Sequence, residues 1–156
     1  MGWRKSRQSG SAAAEDPTVS ALMASSAFAT CDRAALRRIA ALGTEVRRSP
    51  GSVVQRPGVT LRQTLVVLEG VLAERPAHGR ERVVSAGHLI GEDALTRAGA
   101  VARTTATAVT HVRLLVLGPT ELGEVAELLR VRPTPAARQA VPVPEPSWGF
   151  ARPALA

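Results

Sequence analysis

The residues best suited to chemistry lie between Gly87 and Ala108, in the sequence GHLIGEDALTRAGAVARTTATA. A Gly-Glu pair, Gly91 and Glu92, is followed by Arg103 at the start of a threonine-rich run. A glycine lets backbone N–H groups approach an anion closely, and the first turn of a following helix offers unpaired N–H donors. The guanidinium of Arg103 is a permanently charged fork for a phosphate, and Glu92 can accept a hydrogen bond from a sugar hydroxyl. These residue types therefore predict a pocket for a small phosphorylated ligand.

Other chemistries find weaker support in the sequence. His88 and Glu92 are the one plausible metal-binding pair, and two ligands do not hold a catalytic metal well. Glu92 and Asp93 are adjacent, so on a helix they point in different directions and make a poor acid–base pair. We find no serine–histidine–aspartate set and no loop for a nucleoside triphosphate. The sequence therefore predicts a protein that is not an enzyme and that has no metal site or cofactor.

Composition narrows the class of protein further. The chain has 156 residues, 45% of them hydrophobic, which is enough for one domain with a core. Only 3% are aromatic, so that core must consist mainly of aliphatic side chains. The net charge of +7 suggests nucleic-acid binding, but several of the basic residues lie in the N-terminal segment or after the predicted folded part, and we find no basic helix with interleaved aromatic residues. We therefore predict solvated charge and no specific binding to DNA.

Cysteine content and hydropathy indicate where the protein works. Cys31 is the one cysteine, which excludes an internal disulfide bond and is typical of a reducing compartment. The basic N-terminal residues are not followed by the apolar stretch of a signal peptide, and no segment is long and apolar enough to span a membrane. These observations predict a cytoplasmic protein with no membrane partner.

The elements that must position the candidate pocket are mostly strands. Residues 64–69, TLVVLE, form a continuous apolar run closed by Gly70, and the Glu69-Gly70 pair predicts a hairpin to the next strand. Short segments rich in β-branched residues recur between turn signals from residue 44 to residue 117. They predict about eight short strands, at a spacing typical of an all-β barrel or a double-sheet roll.

Helices are predicted on both sides of the strands. Val19, Leu22, Met23 and Phe28 have the spacing of a short amphipathic helix. Asp32 is a suitable N-cap for a second helix, which ends at Gly43. Pro119 suits the first turn of a third helix, whose apolar stripe consists of Leu122, Val125, Ala126 and Leu129.

The chain divides into three predicted segments. Residues 1–18 are rich in small and charged residues and predict a disordered leader. Residues 19–130 contain the folded domain, and residues 131–156 predict a proline-rich disordered tail. Trp148 and Phe150 in that tail are either a short interaction motif or part of an end without a partner.

In this order, the elements resemble the cyclic nucleotide-binding domain. That domain is the β-roll of bacterial catabolite-activator-type regulators, protein kinase regulatory subunits and gated channels. The resemblance runs from about residue 28 to residue 129 and rests on the segments FATCDRAALRRIAAL, PGSVVQRPG, VVLEGVLAE, SAGHLIGEDAL, ARTTATA and VRLLVLGPTEL. It implies a mainly β fold, a double-stranded β-helix (jelly roll or β-roll) flanked by short N- and C-terminal α-helices.

The resemblance also implies roles for six residues. In that family, the segment from the Gly-Glu pair to the arginine is the phosphate-binding cassette, and the ligand is cAMP or cGMP. Each matching position would then touch the cyclic nucleotide. Gly91 and the N–H groups of Ala94 and Leu95 would line the phosphate, Glu92 would bind the ribose 2′-hydroxyl, Arg103 would pair with the phosphate, and Thr104 would lie beside it, within reach of the base.

Two features depart from the family pattern. Asp93 stands where the family often has an apolar residue, and it puts a second negative charge near a bound phosphodiester. When the chain is aligned on Thr110, the run that follows Arg103 is a residue shorter than usual. That register would put Ala102 in the place of the arginine.

Two functions follow from these observations. The first is a regulatory module that binds a cyclic nucleotide and signals through an unidentified effector protein. The alternative is a degenerate scaffold of the same fold, which acts as a protein interaction module without binding a nucleotide. We see no helix-turn-helix after the roll, so specific DNA binding is not expected. An apolar face on a flanking helix is compatible with a homodimer.

Overall fold

The computed structural model describes residues 15–130, so residues 1–14 of the predicted leader and the whole predicted tail lie outside the described range. Short helices flank a central set of strands. In chain order the elements are α1 (Pro17–Met23), a 3-10 turn (Ser26–Phe28), α2 (Arg33–Leu42), β1 (Thr44–Arg48), β2 (Val53–Gln55), β3 (Thr64–Glu69), β4 (Leu72–Pro76), β5 (Arg82–Val84), β6 (Leu89–Ile90), α3 (Asp93–Thr96), β7 (Thr104–Ala108), β8 (Val112–Leu117) and α4 (Pro119–Arg130).

The strands form two antiparallel sheets of four strands each. The first has the order β1-β8-β3-β6 and the second the order β2-β7-β4-β5. Neighbouring strands in each sheet are mostly far apart in sequence, since the chain passes back and forth between the sheets. The predicted mainly β roll with flanking helices is therefore confirmed.

The continuous apolar run of β3 is explained by its position between two layers. Val66 and Leu68 pack in one core cluster with residues of α1 and α2, including Leu22. Leu65 and Val67 pack in a second cluster, together with residues of the opposite sheet. A strand that is buried on both faces must be apolar at every position, and hence shows no alternation.

The hairpin predicted at Glu69-Gly70 is wrong. β3 pairs with β6 and β8, whereas β4 pairs with β5 and β7 in the other sheet. Gly70 has φ +89°, and a Cβ there would lie 2.3 Å from the carbonyl oxygen of His111. Gly70 therefore carries the chain from one sheet to the other at a point too crowded for a side chain.

The N-terminal helix also differs from the predicted one. It begins at Pro17, where the Asp16 carboxylate accepts a hydrogen bond from the Thr18 N–H at 2.9 Å, so ordered structure starts before residue 19. It ends at Met23, which is half-exposed, and Phe28 belongs to the separate 3-10 turn. The apolar spacing across residues 19–28 predicted one helix, but the structure has two elements there, α1 and the 3-10 turn.

Among residues 15–130, no helix combines the length and the hydropathy that a membrane span requires. Cys31 is half-buried, and its burial, followed by the nearby charge of Asp32, raises the pKa of the thiol. A raised pKa lowers the thiolate fraction, which is typical of an unreactive cysteine.

Candidate ligand pocket

The predicted cassette begins at Gly91, directly after β6. This glycine has φ +75°, and a Cβ there would lie 3.0 Å from the carbonyl oxygen of Gln63. The Thr64 hydroxyl donates a hydrogen bond of 3.0 Å to the Gly91 carbonyl. Gly91 is thus fixed against the start of β3 in a conformation that favours glycine.

The cassette amides already have acceptors within the chain. The N–H of Ala94 donates to the carbonyl of Gly91 at 3.1 Å, and that of Leu95 donates to the carbonyl of Glu92 at 2.9 Å. The Leu95 side chain packs against the core cluster beneath the helices. Since α3 is a single turn, these bonds engage the two N–H groups that the resemblance assigns to a phosphate.

The charged side chains of the cassette face solvent. Glu92, Asp93 and Arg103 are exposed, whereas Ala102 is only 4% exposed and Thr104 is half-buried. The buried inward position directly before β7 is therefore that of Ala102, and the exposed Arg103 beside it reaches the pocket from the solvent side. Arg103 forms no ion pair or hydrogen bond with another residue of the range 15–130.

A pocket of 220 Å³, here called the cassette pocket, brings several predicted residues together. Four of the six predicted site residues line it, namely Gly91, Glu92, Arg103 and Thr104. Ala94 and Leu95 do not. A larger cavity of 640 Å³ adjoins it and shares Gln55, Leu61 and Ala102 with it as lining residues.

The cassette pocket also contains a polar cluster that the sequence did not indicate. The Glu74 side chain, 6% exposed, lines the pocket and is surrounded by donors. The Thr104 hydroxyl donates to Oε1 of Glu74 at 2.9 Å, and Nε of Arg82 donates to Oε2 at 2.8 Å. The Gln55 amide donates to the Thr104 hydroxyl at 2.9 Å, and Nε2 of His88 lies 3.4 Å from Oε2 of Glu74. We call these five residues the Glu74 cluster.

Strand register explains why Glu74 lies inside the roll. It is two residues from the buried Leu72 on β4, and the two side chains share the inner face of that strand. Glu74 is opposite Arg82 on β5 and opposite Ala106 on β7. The position of Glu74, two residues after the apolar Leu72, could have indicated an inward-facing carboxylate. Its partners depend on the pairing of β4 with β5 and β7, which the sequence does not reveal.

A metal site finds no support among the described residues. Between residues 15 and 130, no group of three or more histidine, cysteine, aspartate and glutamate side chains is suitable for a metal ion. His88, considered as a ligand together with Glu92, lies beside Glu74 and Arg82 instead.

Comparison with known proteins identifies the fold. No family model matches the sequence, and no curated protein matches it. A cyclic nucleotide-binding-like protein from Brucella abortus bv. 1 str. 9-941 is 19% identical with a TM-score of 0.60, covering 72% of this chain and 99% of that one. The N-terminal domain of a transcriptional regulator from Streptomyces coelicolor A3(2) is 29% identical with a TM-score of 0.58, covering 74% and 88% of the two chains. The cAMP-bound PfPKA-R is 13% identical with a TM-score of 0.63, covering 71% and 39%.

These similarities confirm the predicted resemblance. The described part of the chain has the β-roll fold of cyclic nucleotide-binding-like proteins, a fold used by regulatory ligand-binding modules. Within residues 15–130 the roll is followed by α4, without a helix-turn-helix.

Proposed function

We propose that the chain is a regulatory module that does not hold a cyclic nucleotide through an arginine–phosphate pair, and that it acts through contacts with an effector protein. The observation that carries this proposal is the difference in burial between two adjacent residues. Ala102 lies inside the roll at 4% exposure, and Arg103 is exposed at the rim of the cassette pocket. The inward position therefore has a methyl group where a phosphate would need a guanidinium.

The charges of the cassette pocket also disfavour a phosphodiester. Glu74 contributes a buried carboxylate, and Glu92 and Asp93 add two more at the solvent-facing rim. Of the two guanidinium groups that line the pocket, that of Arg82 is already paired with Glu74. A phosphodiester entering this pocket would lose water and gain no full compensation of its charge.

Backbone donors support the same conclusion. The N–H groups of Ala94 and Leu95 are engaged within the cassette, so an anion would have to compete for them. The cassette pocket has a volume of 220 Å³, so a cyclic nucleotide in it would extend into the adjoining cavity of 640 Å³.

A second candidate function is the binding of cAMP or cGMP through Arg103. One observation favours it: Arg103 and Glu92 line the same pocket, and the Arg103 guanidinium has no partner among residues 15–130. In this candidate, Arg103 turns toward the pocket when the nucleotide enters, and charge-assisted hydrogen bonds supply the affinity. The bound module then signals to its effector by shifting an existing equilibrium between arrangements of the flanking helices.

Calorimetric titration of the full chain with cAMP and with cGMP separates the two candidates. We expect no saturable heat at millimolar ligand, in the wild type or in Arg103→Ala. Micromolar binding that Arg103→Ala abolishes would overturn the proposal. Arg97→Ala is the matched control, because Arg97 is an exposed arginine of the same loop that does not line the cassette pocket.

Both candidates give the chain a regulatory role without catalysis, and we assign it to the cytoplasm as part of the proposal. Signal transfer has a structural route through the helices that cover the first sheet. Arg38 of α2 and Glu124 of α4 form an exposed ion pair that joins these two helices. Exposed pairs contribute little stability, so the position of α4 against α2 depends mainly on the buried Val125, which packs in the core cluster that both helices share.

A further inference from the structure

The Glu74 carboxylate combines two properties that are uncommon together. It is buried, with 6% of its side chain exposed, yet it lines a pocket that opens to solvent. Its Oε1 accepts a hydrogen bond from the Thr104 hydroxyl, and its Oε2 accepts from Arg82. An ionised carboxylate has about four acceptor sites, so Glu74 retains capacity for further donors.

The cationic partner of Glu74 is largely exposed to solvent. Arg82 lies on β5, which is three residues long and forms an edge of the second sheet. Its side chain is 62% exposed, and both Nε and Nη2 contact the same carboxylate oxygen, at 2.8 and 2.5 Å. A pair with one exposed partner adds little stability, whereas the buried carboxylate needs a cation. The guanidinium of Arg82 is therefore replaceable by another cation of similar chemistry.

The surroundings of Glu74 favour such a cation. The Gln55 amide donates to the Thr104 hydroxyl, which in turn donates to Glu74, so this chain of hydrogen bonds leaves the carboxylate as an acceptor. His88 is the remaining ionisable group of the cluster, 3.4 Å from the same carboxylate. Glu92 and Asp93 at the rim attract a positive ligand, and a volume of 220 Å³ suits a molecule of a few carbon atoms.

We propose that the cassette pocket binds a small organic cation, an amine or an amidine, which pairs with Glu74 in place of the Arg82 guanidinium. Arg82 then acts as an internal competitor for the ligand. On binding, the Arg82 side chain moves from Glu74 into solvent, while β5 stays paired with β4 through its backbone. This inference goes beyond the proposed function, which concerns only the cyclic nucleotide.

Amide NMR titration of the full chain with methylguanidinium chloride tests the inference. The matched probe is N-methylurea, which has nearly the same shape and no charge, at the same ionic strength. We expect methylguanidinium to shift the signals of Gly91, Thr104 and Arg82 Nε–H in a saturable way. N-methylurea should bind at least about tenfold more weakly, since it lacks the charge-assisted bond. Equal shifts with both probes, or no saturable shift at these signals, would overturn the inference.

Two variants locate the binding site. Glu74→Gln keeps the shape of the side chain and removes its charge, so methylguanidinium should bind at least about tenfold more weakly. Glu69→Gln is the control, because Glu69 is 75% exposed on β3 and outside the cassette pocket, and it should bind as the wild type does. Unchanged affinity in Glu74→Gln would contradict the inference.

A variant that lacks the Arg82 guanidinium gives a test that does not depend on the folding of Glu74→Gln. Arg82→Met should bind methylguanidinium several-fold more tightly than the wild type, because the carboxylate has lost its own guanidinium. The added cation should also raise the melting temperature of Arg82→Met more than N-methylurea does, as expected for a ligand of the native state. Affinity no tighter than that of the wild type would count against the inference. The cyclic nucleotide titration bears only on the proposed function, so the failure of either can be recognised separately.

Discussion

The two walls of the cassette pocket differ in how firmly their polar groups are held. The strand wall, formed by Glu74 and Thr104, has a buried carboxylate that accepts a hydrogen bond from the half-buried Thr104 hydroxyl. The loop wall, from Gly91 to Arg103, presents solvent-facing charged side chains at Glu92, Asp93 and Arg103. Groups that are fixed before a ligand arrives recognise it at lower entropic cost. We therefore expect the strand wall to determine which ligand binds.

The largest effect is expected where the loop wall is anchored. Ile90, directly before Gly91, is fully buried between the two sheets. Ile90→Ala should lower the free energy of unfolding by about 2–5 kcal/mol, because it removes core contacts and leaves a cavity. Urea unfolding measures this, with the 70%-exposed Val83→Ala as the control. Equal losses in the two variants would show that β6 does not anchor the loop wall.

A smaller loss is expected at Gly91. Gly91→Ala should cost about 2–3 kcal/mol, since φ is positive and the new Cβ would lie 3.0 Å from the Gln63 carbonyl oxygen. Gly99→Ala is a matched control in the same loop, because Gly99 has φ +74° and a Cβ there would meet no atom of residues 15–130 within 4 Å. The difference between the two variants in thermal unfolding measures how closely β3 holds the loop wall. Equal losses of stability in Gly91→Ala and Gly99→Ala would show that the loop can shift at Gly91 to accommodate the new Cβ.

The hydrogen bonds of the strand wall should have a measurable effect. Thr104→Val keeps the side-chain shape but removes the donor to Glu74 and the acceptor for Gln55. We expect a loss of about 1–2 kcal/mol, because a buried carboxylate loses a hydrogen bond. Thr105→Val is the control, since the half-buried Thr105 has no such contact with Glu74. Equal stability of the two variants would argue against a preorganised strand wall.

The smallest effect is expected at Arg103. This exposed residue has no ion pair with another residue from 15 to 130, so Arg103→Ala should change the free energy of unfolding by no more than about 0.5 kcal/mol. Measured beside Thr104→Val in one urea series, it compares adjacent residues of the two walls. A loss at Arg103 as large as that at Thr104 would remove the distinction between the walls.

The sequence predicted the roll because its signals are local. The apolar run of β3, the turn residues and the helix caps each depend on neighbours in sequence, and the two-sheet fold follows from their order. The hairpin at Gly70 was wrong because a glycine turn looks the same whether the next strand pairs with the first or joins the other sheet. The two-residue strand β6 is too short to produce a pattern.

The site was harder to predict than the fold. Gly91, Glu92, Arg103 and Thr104 do line one pocket, but the roles assigned to all six predicted residues stay predictions. Whether Ala102 or Arg103 points inward depends on the register of β7, which the sequence left open. The contact between Glu74 and Thr104 joins residues 30 positions apart, so it follows only from the pairing of β4 with β7.

Amide NMR titration of the full chain with cAMP tests the central claim most directly. The account predicts no saturable shift of the Gly91, Ala94 and Leu95 amides at millimolar cAMP. Two of these three N–H groups are bonded within the cassette, and its arginine, Arg103, is exposed at the rim of the pocket. Saturable shifts of these amides at micromolar cAMP, lost in Arg103→Ala, would contradict it.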